Sequence, residues 1–195
     1  MHPILSKNQF FIKEHVGMFK AANNFDILDL ETQETLMLCR EPNLGFFTKM
    51  FRFTDYKRMT PFEIKITDNS QNELITIKRG VSIFLSKVDV LDQSGKVIGK
   101  FKQKFFSIGG KFDVLDSDER PICTLKGKWT SWDFSFMKGD VQLAKVTKKW
   151  AGLGKELFTS ADNYVLQIED HVPQNSDERK LILAAVMCID MVLKE

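Results

Sequence analysis

The chain has 195 residues and a formal net charge of +2, and 43% of its residues are hydrophobic against 28% charged. This length fits one domain with a sizeable core, and the composition excludes a disordered chain. The small net charge predicts no binding to nucleic acid, which requires a strongly basic face. Three cysteines and three histidines lie far apart, and the N-terminus lacks the apolar run of a signal peptide. These features predict a reduced, cytoplasmic protein.

Hairpins are the first elements that the sequence predicts. The segment "FDILDLETQETLMLCRE" from Phe25 has an apolar stretch, a polar turn and a second apolar stretch. The same pattern returns three times at a spacing of 24 residues, with Asp68, Asp92 and Asp116 leading the turns. A looser copy follows in "FSFMKGDVQLAKVTKKW". Such a pattern is typical of β-hairpins with turn chemistry in the middle.

Residues 42–61 interrupt the hairpins with a mixture of aromatic and basic side chains. Rings that enter the headgroup boundary and cations that meet anionic lipid are typical of an interfacial membrane segment. The same residues in a helix form an apolar stripe that could equally cap one end of the fold. The residues predicted for membrane contact are Phe46, Phe47, Lys49, Phe51 and Arg52.

Charged and apolar residues alternate within the predicted strands. In "VIGKFKQKF", Lys100, Lys102 and Lys104 lie opposite Phe101 and Phe105. Each strand therefore has one apolar and one charged face, as in an antiparallel sheet with one side in water. The three lysines are a candidate contact for anionic lipid. The alternative is a solvated face that protects the sheet from aggregation.

The last element is an almost wholly apolar helix, predicted over about 177–194. Its run "LILAAVMCIDMVL", Leu181 to Leu193, is roughly 20 Å long at about 1.5 Å per residue. A bilayer core is about 30 Å thick, and Asp190 is costly at membrane depth. The run therefore predicts a helix enclosed by protein, in preference to a membrane anchor.

Strands and helix together predict one architecture. Roughly ten to twelve strands of the usual length form a sheet that curls or closes, and a barrel wide enough to hold a helix needs more than eight strands. We therefore expect a mainly β, single-domain chain, 1–195 with a core of about 10–195. Its fold is a closed antiparallel β-barrel of about twelve strands around a buried hydrophobic C-terminal helix.

The stretch "KKWAGLGKELFTSADNYVLQI" resembles the phospholipid scramblase family, as does "PFEIKITDNSQNELITIKR" from Pro61. The resemblance extends from about Phe25 to the end of the chain. Within the family, the chain is similar to the bacterial branch, which is related to plant LURP-one proteins. It implies the tubby-like fold, a twelve-stranded barrel around a C-terminal helix. The residues that match the family motif are Trp150, Gly152, Leu153, Glu156, Phe158, Thr159, Ala161, Asp162, Asn163 and Tyr164.

The resemblance also implies a calcium segment over 160–171. Asp162 and Asn163 match it and are the candidate calcium ligands. Ser160 and His171 stand where the family has acids, and "NYVLQI" alternates like a strand, so the alternative is a barrel strand after an Asp-Asn turn. No other cofactor is predicted.

The predicted function follows from this resemblance. It implies a scramblase-related, phospholipid-associating protein at the cytoplasmic membrane surface. Transport is disfavoured, because the Pro-rich N-terminal arm and the cysteine-rich patch of the scramblases are missing. The alternative is a soluble tubby-like binding or scaffold module without a lipid role. The sequence contains no nucleophile elbow, no HExxH and no Ser-His-Asp order, so we expect a monomeric non-enzyme without a small-molecule substrate, bound to an anionic phospholipid surface or to a protein partner.

Overall fold

The computed structural model describes residues 2–15, 24–42, 60–81, 87–103, 112–128, 133–148, 163–174 and 176–193. Within these residues lie a short 3-10 helix, Pro3–Ser6, twelve strands and one long helix, α1, Asp177–Leu193. The strands are β1 Gln9–Glu14, β2 Phe25–Asp29, β3 Thr35–Arg40, β4 Phe62–Asp68, β5 Glu73–Arg79, β6 Lys87–Asp92, β7 Val97–Gln103, β8 Phe112–Asp116, β9 Pro121–Lys128, β10 Asp133–Lys138, β11 Val141–Thr147 and β12 Tyr164–Ile168.

The strands form a closed antiparallel barrel in which each strand pairs with its neighbours in sequence. The seam is made by β1 and β12, with Phe10 opposite Leu166 and Ile12 opposite Tyr164. The predicted hairpins are the units of this barrel, and both the closure and the number of strands are confirmed. Closure removes the open sheet edges, and such edges are the main aggregation hazard of a long sheet.

An up-and-down barrel has two distinct ends. The turn end carries the start of β1, the links 30–34, 69–72, 93–96, 117–120 and 139–140, and the exit from β12 into α1. The connector end carries the remaining links, most of whose residues lie outside the described ranges. Helix α1 begins at the turn end and therefore runs towards the connector end.

Alternation within the strands directs apolar side chains to the barrel interior. In β4, Phe62, Ile64 and Ile66 are buried while the residues between them are partly exposed, as the sequence predicted. Helix α1 lies in the same core, where Val186 and Met187 are 0% exposed. All eight side chains from 181 to 188 are buried, so the prediction of an enclosed helix is confirmed.

A glycine in β7 lets the helix approach the barrel wall. A Cβ added at Gly99 would lie 2.6 Å and 2.8 Å from the two Cδ atoms of Leu181 and still closer to the carbonyl oxygen of Leu115. A Cβ atom does not approach non-bonded atoms this closely, so the wall accommodates glycine where Leu181 packs on it.

The two seam strands depart from the predicted alternation. Three consecutive residues of each are at most 1% exposed, so both faces of each strand are covered. The outward Phe11 and Val165 form a second, smaller cluster with Leu30, separate from the barrel core. The buried residues are Phe10, Phe11, Ile12, Tyr164, Val165 and Leu166.

Helix α1 has 17 residues, or about 25 Å at the usual rise. Among the described residues, no helix combines the length and hydropathy needed to cross a bilayer.

Candidate functional surfaces

Aspartates organise the hairpin turns at the turn end. The carboxylate of Asp92 accepts hydrogen bonds from the backbone N–H groups of Ser94 and Lys96 at 2.8 and 3.1 Å. Asp68 and Asp116 accept the equivalent pairs in their own turns. A short carboxylate that satisfies two backbone donors fixes a tight turn. The aspartates of the predicted repeat therefore have a structural role.

These bonds favour the ionised form of the carboxylates. The pKa of Asp29 is lowered to about 2, chiefly because its carboxylate accepts a hydrogen bond from Lys7, with the N–H of Thr32 as the next cause. Hydrogen bonding by Asn72 lowers the pKa of Asp68, and the backbone N–H of Arg120 lowers that of Asp116. The turn end is consequently acidic at neutral pH.

Residues 2–8, which we call the strap, lie across the turn end. From β1 the strap reaches the β4–β5 turn, where His2 Nε2 lies 3.3 Å from Asp68 Oδ2. Its Leu5 side chain is buried in the main core. Lys7 pairs with Asp29 at 2.6 Å, and Asn8 donates to Asp170 at 2.5 Å. The strap thus spans a third of the barrel circumference over the base of α1.

Arg179 connects the strap to the helix. It lies in the first turn of α1 and is 2% exposed. Its guanidinium donates to the carbonyl oxygens of Leu5, Ser6, Lys7 and Val172 and to the side-chain oxygen of Asn8. Burial lowers its pKa, an effect that nearby Asp170 opposes, but an arginine side chain stays charged in proteins.

The outer wall carries cations that are paired with acids. Lys100 and Lys87 both donate to one carboxylate oxygen of Glu119, at 2.9 and 2.8 Å, and the pKa of Glu119 is lowered to about 2, chiefly by Lys87. Lys102 is exposed, with Lys87 and Asp113 as its cross-strand neighbours. Lys104 lies outside the described residues. Lipid contact by this ladder remains a prediction, and Lys100 already has an acidic partner.

Five residues of the segment compared with a calcium loop, Tyr164–Ile168, form strand β12. Asn163 is buried at the connector end, directly before β12, whereas His171 is exposed at the turn end. Five strand residues separate two such groups by roughly 17 Å, so these two side chains do not converge on one ion. Asp162 lies outside the described residues. Among the described residues, no group of three acidic, His or Cys side chains could hold a metal.

The described part of the barrel interior contains a small cavity beside the helix. One apolar cavity of about 10 Å³, room for the centre of a single water-sized sphere, lies between α1 and the wall of β7 to β10. Its lining includes Phe101, Phe136 and Ala185. Cys39, Cys123 and Cys188 are buried free thiols, and burial raises the pKa of Cys123 to about 12, so these thiols are unreactive in the folded state.

Two described features mark the connector end. Arg79 is buried there, donates to the carbonyl oxygen of Thr60 at 2.7 Å and lies 4.6 Å from the ring centroid of Phe62. Val81, just after β5, is 74% exposed. The predicted membrane-contact residues Phe46, Phe47, Lys49, Phe51 and Arg52 lie outside the described residues, in the link from β3 to β4.

Neither the strap nor the role of Arg179 was predicted from the sequence. The first eight residues show no hairpin pattern, and Arg179 stands in a polar stretch that reads as a helix start. Ser176, directly before the helix, donates its hydroxyl to the carbonyl oxygen of Pro173.

A twelve-stranded barrel filled by its C-terminal helix defines the tubby-like class of folds. The X-ray structure of a protein from Arabidopsis thaliana has this architecture, with a TM-score of 0.55 and 18% sequence identity over 95% of this chain and 91% of that one. The chain belongs to the Scramblase family, whose model matches residues 3–195.

Curated relatives support this membership at low identity. Human phospholipid scramblase family member 5 is 26% identical over 129 residues, which cover 58% of this chain and 46% of that protein. Human phospholipid scramblase 2 is 24% identical over 98% of this chain and 67% of its own length. A yeast protein, altered inheritance rate of mitochondria protein 25 of Saccharomyces cerevisiae, is 22% identical over 96% of this chain and 68% of its own length. The match to family member 5 spans about half of that relative.

Proposed function

We propose that this scramblase-family protein associates with anionic phospholipid membranes at their cytoplasmic surface, with its connector end towards the lipid. It binds the surface without catalysing a reaction, and transport of lipid is not part of the proposal. The relatives named as phospholipid scramblases make lipid the first ligand class to consider. The difference in composition between the two barrel ends carries the proposal.

The links of the turn end are acidic and hydrophilic. Together with the stretch from β12 to α1, residues 169–176, they contain seven acidic and two basic residues and no Phe, Trp or Tyr. An anionic membrane repels such a surface.

The opposite end has the reverse composition. The strands are linked there by residues 15–24, 41–61, 80–86, 104–111, 129–132 and 148–163. They contain ten basic and four acidic residues, nine of the 17 Phe and all three Trp. Aromatic and basic residues together favour the boundary between headgroups and acyl chains. Phe46, Phe47, Lys49, Phe51 and Arg52 lie in the most aromatic of these links, and Lys104 lies in another.

Co-sedimentation with vesicles tests the proposal. Purified protein should pellet with vesicles of phosphatidylserine and phosphatidylcholine, release them as salt is raised, and bind phosphatidylcholine alone weakly. Two exposed valines give a matched pair of variants: Val81→Ser at the connector end should weaken binding, and Val141→Ser at the turn end should leave it unchanged. Replacing Phe46, Phe47 and Phe51 with Ser should weaken it further in a protein that stays folded.

Equal binding by both valine variants and the triple variant would contradict the proposed orientation. No binding to either vesicle type would favour the alternative, a soluble tubby-like binding or scaffold module with a protein partner. A parallel series with calcium tests the candidate ligands Asp162 and Asn163, since calcium-dependent pelleting that is lost in Asp162→Asn would assign them a role.

A further inference from the structure

We propose that the strap is a latch that controls whether α1 can leave the barrel, with Arg179 as the residue that couples strap to helix. Opening of the strap and loosening of the helix are then one event. This inference is independent of the proposed membrane association.

The bonding of Arg179 is the first observation behind the latch. Four of its five hydrogen-bond acceptors belong to the strap: the carbonyl oxygens of Leu5, Ser6 and Lys7 and the side chain of Asn8. All five acceptors are neutral oxygens. A buried guanidinium requires such acceptors, because its charge stays when they leave. If the strap lifts, the charged guanidinium in the first turn of α1 therefore loses four of its five acceptors.

The attachment of the strap to the barrel wall is the second observation. Besides the buried Leu5, its contacts with the barrel include partly exposed polar pairs, and Lys7 keeps 47% of its side chain exposed in the pair with Asp29. The His2 side chain that pairs with Asp68 is 33% exposed. The acids of these pairs are less accessible, with 12% of the Asp29 side chain and 6% of the Asp68 side chain exposed. The pairs hold the strap to the barrel wall, whereas Arg179 joins the strap to the helix, so local opening of the strap over the helix depends on the bonds of Arg179.

Position is the third observation. The strap covers the turn end, where α1 enters the barrel. All helix side chains from 181 to 188 are buried behind it. A helix drawn out through this end must displace the strap first. Loss of Arg179 therefore loosens the strap and the helix together.

The buried thiol of Cys188 in α1 reports helix release. Thiol labelling of the full chain, followed by peptide mass spectrometry, should be roughly ten- to a hundredfold faster at Cys188 in Arg179→Met, the range for losing hydrogen bonds to a charged group. Lys180→Met is the matched control, because Lys180 forms its ion pair with Asp177 in the same helix turn and not with the strap. It should label within about twofold of the parent protein.

Hydrogen exchange separates the latch from a general loss of stability. In Arg179→Met, amides of β4 and β5 should stay protected on the time scale on which Cys188 reacts. Strand amides that exchange as fast as Cys188 labels would mean global unfolding and would overturn the latch.

A second variant tests the strap side of the coupling. Asn8→Ala removes one bond to Arg179 and the bond to Asp170 without touching the core. It should accelerate Cys188 labelling several-fold alone and add little in the Arg179→Met background, because both changes open one latch. Unchanged labelling in Asn8→Ala, or fully additive effects, would overturn the coupling.

Discussion

Gly99 tests the packing of α1 against the barrel wall. In Gly99→Ala the new methyl group would overlap two Cδ atoms of Leu181 and the carbonyl oxygen of Leu115. The leucine can rotate, but the carbonyl belongs to the backbone of β8 and can yield only if the strand moves. Overpacking of a buried site destabilises by about 1–3 kcal/mol. Alanine also restricts the unfolded chain more than glycine does, and this effect offsets about 0.4–1 kcal/mol of the destabilisation.

We therefore expect Gly99→Ala to lower the free energy of unfolding by about 1–2 kcal/mol, equivalent to a fall in Tm of roughly 2–8 °C for a chain of this size. Urea unfolding followed by circular dichroism measures it. Gly80→Ala is the control, because a Cβ there meets nothing within 4 Å and its backbone is not left-handed. That change should be neutral or slightly stabilising.

A double variant identifies the cause. Leu181→Ala alone removes a fully buried side chain and should cost about 2–5 kcal/mol. The double variant should lose about 1 kcal/mol less than the sum of the two single losses, because Leu181→Ala relieves the overlap with the new methyl group. Equal stability of Gly99→Ala and Gly80→Ala would refute the close approach of helix and wall.

Three further changes address the helix, the turns and pH. Met187→Ala should lower the unfolding free energy by about 2–5 kcal/mol in urea, without any lipid present, because the side chain is 0% exposed inside the barrel; a loss below about 1 kcal/mol would place this residue outside the core. Asp68→Ala should lower the urea midpoint because it removes the acceptor of two backbone N–H groups, while Asp140→Ala, at an exposed turn, should leave the midpoint unchanged. The pKa of Asp29 falls from 3.8 to about 2 on folding, so its stabilising contribution is complete above pH 3.8 and is lost as the pH falls towards 2. Urea midpoints measured from pH 7 to pH 2 should therefore decline less steeply in Asp29→Asn, and an unchanged profile would contradict this assignment.

Local patterns in the sequence were sufficient to predict most of the architecture. The turns led by Asp68, Asp92 and Asp116 could be predicted because an aspartate side chain bonds to backbone donors two and four residues later, within one short segment. The buried helix could be predicted because its run has no polar face. Such patterns lie within a single short segment of the chain, so they can be recognised without knowing the tertiary contacts.

Long-range partners could not be predicted in this way. Lys100 alternates with apolar neighbours as a strand residue should, but its acid, Glu119, lies 19 residues away in the next hairpin turn. Arg179 bonds to carbonyl oxygens more than 170 residues earlier, and a carbonyl oxygen is present in every residue, so no side chain signals the contact. The requirement for Gly99 arises only where β7 meets the helix.

The seam between β1 and β12 has a consequence for synthesis on the ribosome. The first strand of the ring pairs early with β2, but it can find its second partner, β12, only after about 150 further residues have emerged, since Phe10 pairs with Leu166. Helix α1 emerges later still. Until then the nascent chain is an open, partly apolar sheet whose two edges and empty interior are exposed to other chains. Closure of the ring and entry of the helix must therefore occur within the same late interval, which makes this the period in which chaperones have most to protect.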